Sequence, residues 1–201
     1  MKTRFFILAT LLAFTMPMCA QTETNEVIEN MMARRSIRKY LDKPVEHAKL
    51  EQIAICGINA PSGSNRQPWE ICIVEDYAFI QGLTDIYKKA NPEQVKRDPN
   101  FKNMFRNAPN LICVATPKDR GQLDAGMLGE NMMLAAQSLG LGTCCLGGPV
   151  RFLKANEEAK PYLDRLGFSE GYELLYILAI GYPDEQPAAK PRDLNKIKYV
   201  K

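Results

Sequence analysis

Basic side chains are concentrated in one short segment, RRSIRKY, which begins at Arg34 in a chain whose charges are otherwise nearly balanced. Arg34 and Arg38 are four positions apart, a spacing that puts both side chains on one face of a helix or a strand. Ser36 places a hydroxyl group between them. Farther along, the proline between Lys190 and Arg192 keeps the chain extended, so both cationic side chains project to the same side. Each pair alone is more typical of a solvated surface, but the two pairs together can bind one phosphate monoester.

Two further segments are suited to a flat ring. The loop PSGSNRQPW, residues 61–69, closes against a tryptophan and offers serine, asparagine and glutamine side chains to the edge of a heterocycle. In LGGP, Gly147 and Gly148 lack side chains, so the backbone can approach a ring closely and point an N–H group at it. Pro149 is expected to hold Gly148 in an extended conformation.

Other kinds of chemistry are poorly supported by the residues present. The one histidine, His47, lies near the start of an amphipathic helix, where a surface position is more typical than a role in a catalytic triad. The sequence has no G-x-S-x-G elbow, no P-loop and no G-x-G-x-x-G motif, and no cysteine pair has the C-x-x-C spacing of zinc or dithiol sites. The formal charge of +3 lacks the basic excess of a nucleic-acid-binding protein, so a small anionic ligand is favoured. With one histidine and no C-x-x-C pair, a zinc site would be short of ligands, so no metal is expected.

The length of 201 residues and a hydrophobic content of 46% suit one domain with a sizeable core. Hydrophobic periodicity predicts an α+β fold, with helices packed on a small sheet. The polar connection at 91–109 is interrupted by prolines, as is typical of a lid or a binding segment. The helix at 124–139 is apolar around much of its circumference, so it is expected in the centre or in a subunit interface. The predicted helices are 26–34, 46–58, 77–90, 124–139 and 151–166, and the predicted strands are 69–76, 110–116, 143–146 and 174–182.

The N-terminal segment is interpreted as a cleaved export signal. Lys2 and Arg4 form its positive region, the apolar run FFILATLLAF follows, and MPMCAQ holds the cleavage site. The run is too short to span a bilayer as a helix, so no stable membrane span is expected. Cys19 leaves a lipoprotein as a less favoured alternative, and a buried N-terminal helix is another. The predicted organisation is a signal peptide at 1–20 and one domain at 21–201, in the periplasm or otherwise exported.

Five cysteines remain beyond that segment. Cys56, Cys72 and Cys113 lie within apolar runs, which is typical of free core thiols. Cys144 and Cys145 are adjacent, so an ordinary disulfide between them would be strained. Free thiols are therefore favoured, and a redox role for the adjacent pair stays open.

Six segments occur together in an order and spacing that resembles the nitroreductase family of flavoenzymes. They are RRSIRKY, APSGSNRQPWE, LDAGMLGENMMLAAQSLGLGTC, LGGP, AIGYPDE and KPR, and they span nearly all of the chain after Glu26. The resemblance implies a central, mostly antiparallel sheet flanked by helices, in an intertwined homodimer with a swapped C-terminal tail. It also implies FMN as cofactor, NADH or NADPH as co-substrate, and ping-pong reduction of a small electrophile such as a nitroaromatic or a quinone.

The resemblance further implies roles for particular residues. The residues expected to hold the FMN phosphate are Arg34, Ser36, Lys190 and Arg192. Those expected at the phosphate, the ribityl chain or the pyrimidine ring are Arg35 and Arg38. Those expected to line the flavin, partly from the other subunit, are Pro61, Ser62, Gly63, Ser64, Asn65 and Gln67. Those expected near flavin N5, with a glycine N–H directed at it, are Leu146, Gly147 and Gly148. No side chain is expected to be catalytic, because the flavin itself carries the hydride.

Two features leave alternatives open. Cys145 stands where many relatives carry an aromatic residue, so the smaller side chain either widens the pocket or is compensated by its neighbours. Reduced nicotinamides are cytoplasmic, whereas the signal sequence predicts export, so the electron donor is open. The alternatives are a flavin-binding electron carrier without nicotinamide turnover and a specialised enzyme of the same fold, such as a dehalogenase-like or flavin-consuming one.

Overall fold

The computed structural model describes residues 23–201, and a four-stranded sheet lies at its centre. The predicted signal peptide at 1–20 lies outside the described residues. The strands follow the order β1-β2-β4-β3, and each pairs with its neighbour in the antiparallel sense, as the sequence predicts. The strands are β1 (Glu70–Val74), β2 (Asn110–Pro117), β3 (Gly142–Leu146) and β4 (Tyr172–Gly181).

Helices cover both faces of this sheet, which explains why its two central strands are apolar on both sides. The α-helices are α1 (Glu26–Ala33), α2 (His47–Ile58), α3 (Tyr77–Ala90), α4 (Pro92–Lys96), α5 (Gln122–Ser138), α6 (Gly148–Lys154) and α7 (Lys160–Asp164). On one face, Ile112 of β2 packs in a cluster with residues of α2 and α5. On the other face, Cys113 packs with residues of α3 and α6. Successive residues of β2 thus serve opposite cores, as strand geometry requires.

Two predicted elements differ from the structure. The prediction of one helix over 151–166 is wrong, because α6 ends at Lys154 and α7 begins at Lys160 after a 3₁₀ turn, Glu157–Ala159. The side chain of Asn156 accepts a hydrogen bond from the Glu158 N–H group and so begins the new turn. The polar connection at 91–109 contains the short helix α4, which the sequence pattern does not reveal.

The cysteines at 56, 72, 113, 144 and 145 are free thiols, as the sequence predicts. Of the three expected in the core, Cys113 is buried, whereas Cys56 and Cys72 are only partly buried. His47 is exposed, and its Nδ1 atom lies 2.8 Å from Oε2 of Glu75. This hydrogen bond raises the pKa of His47. Within residues 23–201, no helix is both long enough and apolar enough to cross a bilayer.

The chain beyond β4 forms an extended tail. Every residue from Lys190 to Lys201 is exposed. The tail contains one 3₁₀ turn, Leu194–Lys196, and no other regular structure. Its hydrophobic side chains are exposed and do not pack on the domain. Packing on its own domain therefore does little to stabilise the conformation of the tail.

Candidate functional site

The segment 36–41, called the strap below, joins the basic motif to the edge of the sheet. The Ile37 N–H group donates to the Thr143 carbonyl oxygen at 2.9 Å, and the Leu41 N–H group donates to the Tyr182 carbonyl oxygen at 2.9 Å. A Cβ atom at Gly142 would lie only 2.6 Å from Cγ1 of Ile37, so glycine is required for this close approach. The strap thus fixes the backbone of the basic motif beside β3.

The turn from β3 into α6 presents bare backbone. A Cβ atom added at Gly147 or Gly148 would meet no other heavy atom within 4 Å, so both residues face open space. Gly148 is the first residue of α6, which corrects the expectation that Pro149 holds it extended. Glycine has no Cβ atom to clash with the proline ring, and proline is favoured in the first helical turn because no N–H partner is lost there.

A cavity of about 1390 Å³ opens beside this turn. Its walls come from four parts of the chain: the strap with Asp42, the end of α3 with the α3–β2 connection, the end of β3 with α6 as far as Phe152, and the pair Asp184 and Glu185. It is larger than the roughly 300–1,000 Å³ typical of a site for one small molecule. The cavity therefore has room for a bound group and a second molecule beside it.

The inner wall of the cavity carries two buried proton-bearing groups, the thiol of Cys144 and the phenol of Tyr40. Burial raises the pKa of each, and the guanidinium groups of Arg38 and Arg106 oppose that rise. Both arginines are thus close enough to act on the same two side chains. Burial also raises the pKa of the Cys145 thiol, so both adjacent thiols stay protonated near neutral pH.

Lys39 also lines the cavity, whereas the first three residues of the basic motif, Arg34 to Ser36, do not. Arg34 is half-buried, and its Nε atom donates to Oε1 of Glu130 at 3.2 Å. This leaves its two terminal nitrogens available to a ligand. Arg35 donates from Nη1 to the carbonyl oxygens of Met32 and Arg34, each at 2.7 Å. Ser36 forms a parallel bridge with Thr143. Of the predicted site residues, the cavity is lined by Arg38, Leu146, Gly147 and Gly148.

The predicted loop at 61–67 is held rigid near the start of α5. Three of its residues have left-handed backbones, with φ of 55° at Ser64, 53° at Asn65 and 48° at Gln67. The Ser62 hydroxyl accepts from the Gln67 N–H group at 2.9 Å, and Asp124 of α5 accepts from the Gly63 N–H group at 3.1 Å. Such conformations cost roughly 1–3 kcal/mol each and collect at binding sites. In the single chain, Pro61 and the rest of this loop do not line the cavity.

The second basic pair lies on the tail. Lys190 and Arg192 are exposed, and Arg192 donates from Nη1 to the Lys190 carbonyl oxygen at 3.2 Å. In the single chain they do not line the cavity either. The predicted site is therefore divided between a sheet-anchored part and two parts, the loop and the tail, that face outward.

Comparison with known proteins assigns this architecture. The model of a family described as "Nitroreductase family" matches residues 31–182. The chain belongs to the nitroreductase family. It is 28% identical over 174 residues to the NADPH-flavin oxidoreductase of Vibrio harveyi, covering 84% of this chain and 70% of that protein.

Solved structures of nitroreductases share the fold. A nitroreductase with bound FMN from Bacteroides fragilis superposes with a TM-score of 0.75 at 26% identity, covering 89% of this chain and all of that chain (100%). A nitroreductase with bound FMN from Desulfitobacterium hafniense gives a TM-score of 0.78 at 26% identity, with 89% and 100% covered. The predictions of the nitroreductase family and of its α+β fold are confirmed.

The sequence predicts a lid or binding segment at 91–109, and much of this connection lines the cavity, but no individual residue of it was predicted. Asn107 accepts from the N–H groups of Lys102 and Asn103 through Oδ1, at 2.8 and 3.0 Å. Its Nδ2 atom donates to the Asn100 carbonyl oxygen at 2.8 Å. This network holds Arg106 at a left-handed φ of 62°. The signal was the density of asparagine in this connection, since asparagine side chains replace backbone partners in tight turns.

Proposed function

We propose that this protein is an exported FMN-dependent oxidoreductase of nitroreductase type. It passes electrons from a reduced nicotinamide, or from another donor outside the cytoplasm, to a small electrophile such as a nitroaromatic or a quinone by ping-pong kinetics. The observation that carries the proposal is the open backbone of Gly147 and Gly148, which faces a large cavity beside Arg38. Family membership and the FMN bound in structures of similar nitroreductases support the same cofactor here.

The residues present fit FMN in size, shape and charge. Gly147 and Gly148 leave free the space that any side chain would fill, as a flat ring stacked close to the backbone requires. Arg38 lines the same cavity and suits the pyrimidine or ribityl side of the cofactor. The terminal nitrogens of Arg34, with Lys190 and Arg192, suit the phosphate, since guanidinium groups bind phosphate in a bidentate manner.

FMN, when bound, supplies the acceptance and return of a hydride, which no side chain of the chain can do. The protein's own part is to bind, orient and tune. Arg38 would bring positive charge to the ring, a backbone N–H group of the β3–α6 turn would donate to it, and the glycines would keep one face accessible. Donor and acceptor would then use one open face in turn, which is the basis of the ping-pong kinetics proposed above.

A homodimer completes the site. Hydrophobic side chains of α1 are exposed, with Val27 at 63% and Met32 at 73%. The tail exposes Leu194 at 74% and Tyr199 at 79%. Exposed apolar groups on two separate elements favour burial against a partner. A tail exchanged between two copies covers these groups and brings the partner's loop and tail to the cavity.

Export rests on the predicted signal peptide at 1–20. The same segment sets the question of the donor, because reduced nicotinamides are cytoplasmic. We keep NADH and NADPH as the first donors to test, because a similar protein is named an NADPH-flavin oxidoreductase.

The test is an absorption spectrum followed by anaerobic mixing. We expect the purified protein to be yellow, with its flavin band bleached by NADH or NADPH and restored by a nitroaromatic or a quinone. Purified protein that holds no flavin and cannot be loaded with FMN would refute the proposal. Flavin that no nicotinamide bleaches would instead identify the alternative, an electron carrier. Localisation of the processed chain in a fractionated cell tests export separately.

A further inference from the structure

We propose that the part of the cavity walled by Tyr87, Phe101 and Phe152 binds a planar aromatic acceptor that carries a carboxylate. This inference rests on the proposed function and names the class of its substrate. Two independent features of the cavity carry it, an aromatic wall and a pair of arginines without carboxylate partners.

The aromatic wall is assembled from three separate elements. The rings of Tyr87 and Phe101 are stacked, with centroids 6.0 Å apart and planes at 17°. The rings of Tyr87 and Phe152 meet edge to face, with centroids 5.1 Å apart. All three residues are partly buried and line the cavity. Their mutual packing fixes an apolar wall that presents both ring faces and ring edges, and a further aromatic ring can pack against either.

The wall lies close to the predicted position of the flavin. Phe152 and Gly148 both belong to α6 and are four residues apart, so they lie on one face of that helix, one turn from each other. Tyr87 continues the wall beyond Phe152, with the two ring centroids 5.1 Å apart. An aromatic molecule against this wall is therefore a neighbour of the group that the glycines admit.

Two guanidinium groups line the same cavity. Arg97 follows α4 directly, and Arg106 is held at a left-handed φ of 62°. Within residues 23–201, neither side chain donates a hydrogen bond or forms an ion pair with a carboxylate. By contrast, Lys102 on the same wall pairs with Asp42 at 2.8 Å.

The carboxylates of the cavity leave a small excess of positive charge, because five basic side chains and four acidic ones line it. Asp42 is paired with Lys102, and Asp98 accepts from the Asn100 N–H group at 3.0 Å within its own loop. Glu185 accepts from the Arg38 N–H group. The remaining carboxylate that lines the cavity is Asp184. Guanidinium geometry matches a carboxylate in a bidentate manner, so an aromatic acid gains an attraction that its neutral analogue lacks.

The experiment compares 4-nitrobenzoate with 4-nitrobenzamide on the FMN-loaded protein. In the first two-electron step, NAD(P)H is oxidised to NAD(P)⁺ while the nitro group takes up two electrons and two protons and becomes a nitroso group with loss of water. We expect kcat/KM to favour the carboxylate by about fivefold at low salt, the upper range for an exposed ion pair. The preference should shrink as salt is added, because screening weakens exposed pairs.

A double variant and a matched control assign the preference to the arginines. The double variant Arg97→Gln, Arg106→Asn should bring the ratio of the two kcat/KM values toward one. Asparagine is chosen at 106 because it tolerates a left-handed backbone. The control is Lys96→Gln, which removes a neighbouring charge that is paired with Glu93 and does not line the cavity. It should keep the preference of the unaltered protein.

A binding measurement adds a readout that needs no turnover. Benzoate and benzamide, which cannot be reduced here, are titrated against the flavin absorption band, and benzoate should bind about fivefold more tightly. Equal affinities, or a double variant that keeps the preference, would overturn the inference. The inference would also be overturned if the double variant raised KM for NADPH and left the ratio of the two acceptors' kcat/KM values unchanged. The arginines would then bind the donor and not the acceptor. These outcomes would overturn the substrate inference and leave the proposed function intact. A protein that cannot be loaded with FMN would refute the proposed function itself, before any acceptor is compared.

Discussion

The β3–α6 turn and the C-terminal tail both carry predicted flavin-binding residues, but only the turn is packed on the domain. Leu146, at the end of β3, is 7% exposed and belongs to the core, and the strap beside it is hydrogen-bonded to the sheet. Val200, near the end of the tail, is fully exposed. One region is placed by its own domain, and the other has nothing in its own domain to hold it. The contrast is what the proposed homodimer with exchanged tails predicts, because one chain would then build only part of the site.

Deleting the tail tests this contrast with the largest expected effect. Removal of residues 186–201 should convert the dimer to a monomer and lower FMN retention strongly, because Arg192 and the exposed apolar side chains are lost together. The domain itself should remain folded, since the tail contributes no buried side chain to it. Sedimentation and the flavin spectrum measure the two losses, and circular dichroism measures the fold.

A shorter change separates the tail's apolar side chains from its charges. The double variant Leu194→Ser, Tyr199→Ser should weaken the dimer while leaving Lys190 and Arg192 in place. A dimer that survives both the deletion and the double variant would show that the tail is not the element that joins the copies.

The phosphate clamp joins the two regions and gives the next largest effect. Arg34→Gln and Arg192→Gln should each weaken FMN binding by about tenfold to 100-fold, from the loss of a charge-assisted hydrogen bond. Riboflavin, which has no phosphate, should bind the variants as it binds the unaltered protein. The matched control is Lys196→Gln, which removes a charge from the same tail. A loss of affinity for riboflavin as large as that for FMN would contradict a phosphate role.

Two glycines at opposite ends of β3 have different roles: one allows the strap to pack on the sheet, and the other leaves space for the flavin ring. A Cβ atom at Gly142 would clash with Ile37, so Gly142→Ala should lower the free energy of unfolding by about 1–3 kcal/mol. A side chain at Gly147 meets open space and does not precede a proline, so Gly147→Val should change thermal unfolding of the flavin-free protein less than Gly142→Ala does. It should nevertheless lower FMN affinity, because the side chain occupies the space for the ring. Unchanged FMN affinity in Gly147→Val would contradict a flavin position beside this turn.

The sequence predicts more of the sheet-anchored half than of the rest. Strands such as Tyr172–Gly181 are long apolar runs, and burial on two faces leaves them few other conformations. Gly147 and Gly148 could be identified from the sequence because two adjacent glycines allow the backbone to approach a flat ring closely. The break after Lys154 was not predicted, since it depends on a single side-chain cap at Asn156.

Residues that act through tertiary placement escaped prediction. Arg106 lines the cavity because Asn107, in the same loop, accepts two backbone N–H groups and closes a tight turn. Nothing in the spacing of Arg106 distinguishes it from a solvated surface arginine. The partner Glu130 of Arg34 is 96 residues away in the chain, so no local pattern shows it. Such contacts follow from the topology of the sheet and not from periodicity.

The smallest predicted effect lies where the anchored domain meets the tail. The Tyr182 hydroxyl donates to Oε2 of Glu46 at 2.6 Å, and this bond is the main reason that the pKa of Glu46 falls from 4.5 to about 2. A depressed carboxylate pKa contributes stability that is present above pH 4.5 and is lost as the pH falls toward 2. Tyr182→Phe should therefore return the Glu46 pKa toward 4.5, as measured by carboxyl NMR titration, and flatten the acid dependence of stability. The variant should leave the dimer intact, since Tyr182 attaches the root of the tail to α2 of its own domain. A dimer lost with this hydroxyl would mean that the root of the tail, and not its exposed end, sets the assembly.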